Sequence, residues 1–356
     1  MNALASRIAG LIAAQGPISV AQFMTLALHD PQYGYYAAGD PIMTDFATAP
    51  EISPIFRELL GMWTVQCWHE AGKPAPARLV ELGPGRGLLI NDVLNAGDAM
   101  PGFLKAVDVA LVETNPVLIA KQQDLVQGWD VAFKWCGRIE DAGLDRPLFL
   151  LANEFFDALP IRQFVKTERG WCERMVTLDA GGALAFALSP DAVPLSLPER
   201  GIAETGAVYE VCPAATAMVA EIAHAIARKG GVALIVDYGY GAGAGFGETF
   251  QAIGGGMFQG LLAEPGQHDL SAHVDFAALA QAAKDEGAAV FGPVEQGDFL
   301  DALGIRDRAR ELATADPAAA ADIFGRVARL IDPDQMGRLF KAMAILPPGA
   351  RTPDGF

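Results

Sequence analysis

Short apolar runs alternate with amphipathic segments through the middle of the chain. Leu79, Val80 and Leu82 form one apolar run, residues 88–94 repeat their apolar positions at helical spacing, and Val107 to Val112 form a second run. Strands that alternate with helices in this way build a parallel sheet covered on both faces. The pattern predicts an α/β fold with a doubly wound, mostly parallel, Rossmann-like sheet.

The pattern changes after residue 160. Residues 161–188 alternate with a period of two around Gly170, Gly181 and Gly182, which is typical of antiparallel hairpins. A helical pattern at 214–229 and an apolar run from Val232 to Val236 then restore the first alternation. The sequence therefore predicts a β-hairpin subdomain inserted into the parallel sheet.

These boundaries divide the chain into four predicted segments. The first begins with Leu4, Ile8, Leu11 and Ile12, which share one face of a helix. The segments are a helical N-terminal cap and lid at 1–75, the ligand-binding half of the sheet at 76–160, the inserted hairpin subdomain at 161–212, and the second half of the sheet with a substrate-side insertion and C-terminal helices at 213–356.

Composition narrows the function classes. A net charge of −17 argues against a nucleic-acid partner, because phosphate binding needs clustered Lys and Arg, but it is compatible with a basic peptide. The four cysteines show no metal-ligand spacing, so we expect no metal. With no run of 18 apolar residues and no signal or transit peptide pattern, we expect no membrane span and a cytoplasmic location in a bacterium.

The most informative motif is the glycine-rich turn after the first run. Glu81 is followed by Gly83, Gly85 and Gly87, and Leu88 stands where a dinucleotide fingerprint would place its third glycine. A carboxylate beside the turn would repel a pyrophosphate but suits a cation. S-adenosylmethionine carries an ammonium and a sulfonium, and the turn resembles motif I of class I methyltransferases.

Two further carboxylates follow the next strands. Glu113 ends the second strand, where a carboxylate can accept hydrogen bonds from both ribose hydroxyls, although a solvated acid or an NAD site would look the same. Glu140 follows the third strand, where adenine contacts usually fall in such folds. Both are predicted to contact the cofactor.

A polar segment ends the fourth strand. It reads Asn153-Glu154-Phe155-Phe156-Asp157-Ala158-Leu159-Pro160. Two carboxylates three residues apart could share a guanidinium and accept its proton, which makes Glu154 and Asp157 catalytic candidates, with Asn153 nearer the cofactor. The alternative is that Asn153 and Asp157 only cap the following turn.

Several long motifs resemble one family, the MidA-like class I methyltransferases of mitochondrial complex I assembly and their bacterial relatives. The motifs extend over nearly the whole chain in a collinear order. They are the glycine turn, the Asn153 segment, residues 29–36 (HDPQYGYY), residues 45–53 (DFATAPEIS), Asp237-Tyr238-Gly239, residues 269–276 (DLSAHVDF), residues 296–300 (QGDFL) and residues 336–341 (MGRLFK).

The resemblance implies a fold, a cofactor and a reaction. It implies a class I methyltransferase that uses S-adenosylmethionine for symmetric dimethylation of an arginine on a peripheral-arm subunit of NADH:ubiquinone oxidoreductase. It also favours a lid at 45–53 carrying the cofactor contacts Thr48 and Glu51, over a plain connector whose Ser53-Pro54 caps the next helix. Asp237, His273 and Asp275 are predicted substrate contacts, although His273 and Asp275 could instead cap the helix at 274–286.

This chain departs from the family pattern at two places. Thr44 stands before Asp45-Phe46 where a glycine is usual, and Gly254-Gly255-Gly256 replaces a commonly basic stretch. Two alternative functions remain open: an assembly chaperone that binds S-adenosylmethionine without turnover, and an NAD-dependent oxidoreductase. The sequence leaves open whether the chain forms a homodimer.

Overall fold

The computed structural model describes residues 2–37, 49–195, 203–241 and 246–356. Helices in these ranges are α1 (Ala3–Gln15), α2 (Val20–His29), α3 (Ala49–Ile52), α4 (Pro54–Glu70), α5 (Leu88–Asp98), α6 (Phe103–Ala106), α7 (Pro116–Val126), α8 (Pro213–Lys229), α9 (Phe276–Asp285), α10 (Gln296–Ala302), α11 (Ile305–Ala315), α12 (Ala320–Ile331) and α13 (Met336–Leu339). Strands are β1 (Ile18–Ser19), β2 (Ala77–Leu82), β3 (Val107–Val112), β4 (Phe133–Cys136), β5 (Leu148–Asn153), β6 (Arg162–Thr167), β7 (Gly170–Leu178), β8 (Leu184–Val193), β9 (Val208–Val211), β10 (Gly231–Tyr240), β11 (Gln251–Gly254), β12 (Met257–Phe258), β13 (Asp269–Ser271), β14 (Val274–Asp275), β15 (Ala289–Glu295) and β16 (Phe340–Leu346).

The central sheet has the strand order β15-β16-β10-β5-β2-β3-β4. Neighbours from β10 to β4 run parallel, whereas β16 is antiparallel to both β10 and β15. Strand β5 is buried along its whole length, as expected of a parallel strand covered on both faces. The predicted α/β fold with a mostly parallel sheet is confirmed.

A separate antiparallel sheet contains the hairpins that the sequence predicts. Its strand order is β1-β7-β6-β9, and β8 also pairs with β7. A further three-stranded sheet has the order β12-β11-β13. The tight turn of the β7–β8 hairpin uses Gly182 at a positive φ, a conformation that favours glycine.

Chain contacts divide the molecule into two compact units. The first unit comprises Met1–Phe46, Asp157–Ala215 and Gly241–Asp275, and the second comprises Ala47–Phe156, Thr216–Tyr240 and Phe276–Phe356. The apolar core of the first unit packs helices α1 and α2 with the antiparallel strands around Phe23 and Val176. The core of the second packs α4, α5 and α10 on the parallel sheet around Trp68 and Phe149.

Among the described residues, no helix combines the length and apolar character needed to cross a membrane.

Candidate active site

The carboxyl ends of four strands meet at one edge of the central sheet. In the strand register, Leu82 of β2 lies beside Val112 of β3 and Ala152 of β5, while Asn153 lies beside Val236 of β10. Polar residues lie close to this edge: Glu81 one residue before the end of β2, Glu113 just after β3, Asn153 at the end of β5, and Asp237 on β10 one residue beyond the partner of Asn153. In open α/β sheets, ligands bind at this edge.

The glycine turn connects β2 to α5 in a left-handed backbone conformation. Gly83, Gly85 and Gly87 have φ values of 59°, 54° and 80°. A Cβ built on Gly83 would lie 2.9 Å from the ring of Phe155, and Gly87 is the N-cap of α5. The turn therefore requires glycines for both its backbone angles and its packing.

Glu81 is buried, and the pKa of its carboxyl group is raised well above its usual range. Burial raises its pKa to about 8, against the effect of a hydrogen bond from the backbone N–H of Ile90, and the charge of Glu113 raises it further. Its Oε2 atom has no hydrogen-bond partner among the described residues. A buried acceptor without a donor is costly, and a bound ammonium would supply that donor.

Glu113 is held by the backbone that follows it. Its Oε1 accepts hydrogen bonds from the N–H groups of Thr114 at 2.7 Å and Asn115 at 2.8 Å. Burial raises the pKa of this carboxyl, while these two hydrogen bonds and one from the Gln122 side chain act in the opposite direction. Glu113 is thus a fixed acceptor at the end of β3, beside the glycine turn.

Glu140 lies farther toward the surface. Its exposed carboxylate pairs with Arg138 at 2.8 Å, and that guanidinium lowers the pKa of Glu140. The neighbouring Ile139 is buried at 2% exposure. A cofactor contact from Glu140 stays a prediction.

The segment after β5 contains a strained residue. Glu154 has a φ of 50°, which is uncommon for a residue other than glycine. Its Oε1 accepts hydrogen bonds from the backbone N–H of Ala49 at 2.8 Å and from Nδ2 of Asn153 at 3.2 Å. The buried Oδ1 of Asn153 has no partner among the described residues. These side chains therefore present acceptors at the carboxyl end of β5.

Asp237 stabilises this strained turn from the neighbouring strand. Its Oδ2 accepts the backbone N–H groups of Phe155 at 3.1 Å and Phe156 at 2.9 Å, and its Oδ1 accepts that of Tyr238 at 2.9 Å. The residue is fully buried. Asp237 therefore positions the Glu154 turn, and direct contact with a substrate stays a prediction.

Glu51 lies on the short helix α3 and meets the glycine turn. Its Oε2 is 3.7 Å from Nη1 of Arg86, which follows Gly85 in the turn. The same helix begins at Ala49, whose N–H contacts Glu154. Thr48 and the rest of the predicted lid from 45 to 48 lie outside the described residues.

Asp157 belongs to the first compact unit, because the unit boundary falls between Phe156 and Asp157. Its backbone carbonyl accepts the N–H of Ala272 at 2.9 Å. In the same unit the hydroxyl of Tyr36 donates to Oδ1 of Asp269 at 3.0 Å. Burial raises the pKa of Tyr36, and the charges of Asp269 and Asp157 raise it further.

His273 and Asp275 are half-buried residues of the first unit. The backbone N–H of His273 donates to Oγ1 of Thr249 at 2.9 Å. Burial lowers the pKa of the His273 imidazole, and the charge of Glu210 acts weakly against this. This shift favours the neutral form of the imidazole, and the substrate contacts of His273 and Asp275 stay predictions.

Gln122 was not identified from the sequence. It is fully buried on α7, its Nε2 donates to the carbonyl of Gly85 at 2.6 Å, and its Oε1 accepts the indole N–H of Trp135 at 2.9 Å. The signal was present, because Leu118, Gln122 and Val126 lie on one face of a helix and a polar residue within an apolar face needs a buried partner.

The edge of the sheet fits S-adenosylmethionine. Two buried acceptors, Oε2 of Glu81 and Oδ1 of Asn153, would receive hydrogens from the ammonium, and the left-handed glycine turn leaves the backbone open to a ligand. Among the described residues, no group of three or more His, Cys, Asp and Glu side chains could hold a metal ion.

Comparison with known proteins identifies the cofactor class. Residues 59–294 match a family described as "Putative S-adenosyl-L-methionine-dependent methyltransferase". A crystal structure from Burkholderia thailandensis, of a "likely methyl transferase" bound to S-adenosyl-homocysteine, superposes with a TM-score of 0.85 at 30% identity and covers 99% of this chain and 94% of that one.

Full-length relatives carry a more specific name. The zebrafish mitochondrial protein arginine methyltransferase NDUFAF7 is 37% identical over 373 residues, covering 97% of this chain and 87% of the relative. The human protein of that name is 35% identical over 366 residues, with 94% and 81% covered. The chain therefore belongs to the MidA-like family of S-adenosyl-L-methionine-dependent methyltransferases, and S-adenosylmethionine is its cofactor.

Proposed function

We propose that this enzyme transfers a methyl group from S-adenosylmethionine to an arginine of a protein. The observation that carries this proposal is the strained, carboxylate-bearing turn at Glu154, which lies at the ligand edge of the sheet in a chain 37% identical to a protein arginine methyltransferase. By resemblance, the product is a symmetric dimethylarginine on a peripheral-arm subunit of NADH:ubiquinone oxidoreductase, and the modification supports assembly of that complex.

The cofactor is proposed to lie along the carboxyl ends of β2, β3 and β5. Glu81 and Asn153 hold its ammonium, the glycine turn supports it through the backbone, and Glu113 accepts the ribose hydroxyls. Thr48, Glu51 and Glu140 complete the set of proposed contacts. When bound, S-adenosylmethionine supplies an electrophilic methyl group at its sulfonium.

Glu154 and Asp157 are proposed to act on the acceptor arginine. A guanidinium is fully protonated near pH 7 and is a poor nucleophile, so a carboxylate must orient it and accept the proton that it loses. Ala49 and Asn153 fix the carboxylate of Glu154 by hydrogen bonds, and Asp237 fixes the turn below it. His273 and Asp275 are proposed to contact the substrate.

The test combines mass spectrometry with a matched variant. In a host that lacks this protein, a subunit of the peripheral arm should lose an arginine methyl mass, and the parent chain should restore it. Glu154→Gln keeps the side-chain shape but cannot accept the proton, so transfer should fall by about a hundredfold or more while affinity for S-adenosylhomocysteine is retained.

Three other outcomes would contradict the proposal. Full activity of the Glu154→Gln variant would leave Glu154 as a structural residue of the turn. Lost assembly of the complex without any lost methyl mass would favour a chaperone that binds the cofactor without turnover. A methyl mass lost from a residue other than arginine would overturn the proposed acceptor.

A further inference from the structure

The amide of Gln122 hydrogen-bonds through both its nitrogen and its oxygen inside the cofactor-binding half of the sheet. One hydrogen of Nε2 is donated to the carbonyl oxygen of Gly85, and the Gln122 side chain lies close enough to Glu113 to lower the pKa of that carboxyl. A carboxylate only accepts, so only the amide nitrogen can donate to it. The indole N–H of Trp135 on β4 donates to Oε1, while the carbonyl of Gly85, which can only accept, requires Nε2 on its side whether or not the indole is present.

The aliphatic part of Gln122 packs against the same turn. Its Cγ lies 3.3 Å from the position that a Cβ on Gly87 would occupy. One side chain therefore contacts the turn at Gly85 and Gly87 and also lies beside the carboxyl of Glu113. Gly85 and Gly87 lie in the turn after β2, whereas Glu113 follows β3. Because the turn is proposed to support the cofactor and Glu113 to accept its ribose hydroxyls, the distance between them determines how well an adenosine fits.

We propose that Gln122 is a positioning residue that fixes the glycine turn and Glu113 at the spacing required by the ribose of an adenosine ligand. This inference rests on the proposed cofactor contacts of Gly85 and Glu113. It does not depend on the identity of the methyl acceptor, because its effect is on the adenosine end of the site.

Binding of S-adenosylhomocysteine and of adenosine to the full chain tests the proposal by calorimetry. Gln122→Met keeps the length of the side chain and removes both donors, so the Kd for both ligands should rise by about tenfold to a hundredfold, the effect of losing a hydrogen bond to a charged group. Gln122→Glu, which can accept from Trp135 but cannot donate, should lose affinity at least as strongly.

Trp135→Phe is the matched control. It removes the hydrogen bond to Oε1 but keeps both donors of Nε2, so it should raise the Kd by no more than about threefold. If Trp135→Phe costs as much affinity as Gln122→Met, the effect is general loosening of the core and the proposal is wrong.

A double-mutant cycle separates positioning from simple packing. In a Glu113→Gln background, Gln122→Met should cost much less affinity for adenosine than it does in the parent, because the carboxylate that it positions is gone. Equal costs in both backgrounds would overturn the inference. Unchanged affinity after Glu113→Gln alone would instead overturn the proposed ribose contact.

Discussion

The buried carboxyl of Glu81 couples the stability of the ligand-free enzyme to pH. Its pKa is raised from 4.5 to about 8 in the folded chain, so the folded state binds a proton that the unfolded state releases. The stability from this proton is fully present below pH 4.5 and is lost as pH rises toward about 8. Glu81 therefore lowers the stability of the ligand-free fold at alkaline pH, while its buried carboxyl provides a hydrogen-bond acceptor for a cationic ligand.

Glu81→Gln should remove this dependence. We expect the ligand-free variant to have a Tm about 2 °C or more above that of the parent at pH 8.5, with the difference shrinking toward pH 5. Its affinity for S-adenosylhomocysteine should fall, because the ammonium loses its counter-charge. Thermal unfolding across this pH range measures the first effect, and a pH-independent Tm difference would contradict the linkage.

The placement of some site residues can be predicted from the sequence, whereas the role of others depends on contacts between distant parts of the chain. Glu81, Glu113 and the glycines follow apolar runs at the position where parallel strands end, so their placement follows from pattern alone. The role of Gln122 depends on which face of α7 meets the turn and on an indole from another strand. The positive φ of Glu154 is likewise set by Asp237, a residue more than 80 positions away in the chain.

At the scale of elements, the turn from β2 to α5 tolerates little substitution, because its three glycines all have a positive φ. Gly85→Val would place a β-branched side chain at a φ of 54°, a strain of about 1–3 kcal/mol, on the backbone proposed to support the cofactor. We expect calorimetry to show no binding of S-adenosylhomocysteine while the circular dichroism stays native.

Gly182→Val offers a matched control for that change. Gly182 has a φ of 80°, and a Cβ there would meet no atom within 4 Å. The substitution imposes similar backbone strain in a hairpin of the other unit, so it should lower the Tm but leave S-adenosylhomocysteine binding intact. Equal binding by Gly85→Val and the parent would remove Gly85 from the cofactor site.

Helix α3 contacts both the glycine turn and Glu154. Because Glu51 faces Arg86 and the N–H of Ala49 donates to Glu154, a ligand at the turn should restrict this helix. We expect S-adenosylhomocysteine to slow hydrogen exchange of the amides of Ala49, Glu51 and Ile52 and to leave those at 179–183, in the other unit, unchanged. Equal exchange rates with and without the ligand would leave α3 as a structural connector.

Periodicity predicts whether most elements are helices or strands, but it does not predict which strands pair with each other in the sheets. Hairpin alternation at 161–188 correctly indicates the antiparallel sheet. The placement of β16 between β10 and β15, antiparallel to both, leaves no local signal, because an apolar run reads the same in either direction.

At the scale of the molecule, each compact unit is assembled from three separate stretches of chain. The sequence predicts contiguous segments, since composition and periodicity change along the chain, whereas a core joins residues that are distant in it. Phe23 and Phe250 share one core although more than 200 residues separate them. Long-range packing of this kind has no signature in a local window.

The position of β16 has a consequence for the newly made protein. This strand begins at Phe340, far along the chain from the end of β10 at Tyr240, yet it pairs with the buried strand β10 along six residues. Until a ribosome has released residues 340–346, the apolar edge of β10 lacks this partner, and such edges recruit other strands. The exposure of this edge during synthesis therefore lasts while residues 241–339 are made and released, and a stop codon before residue 340 would make it permanent.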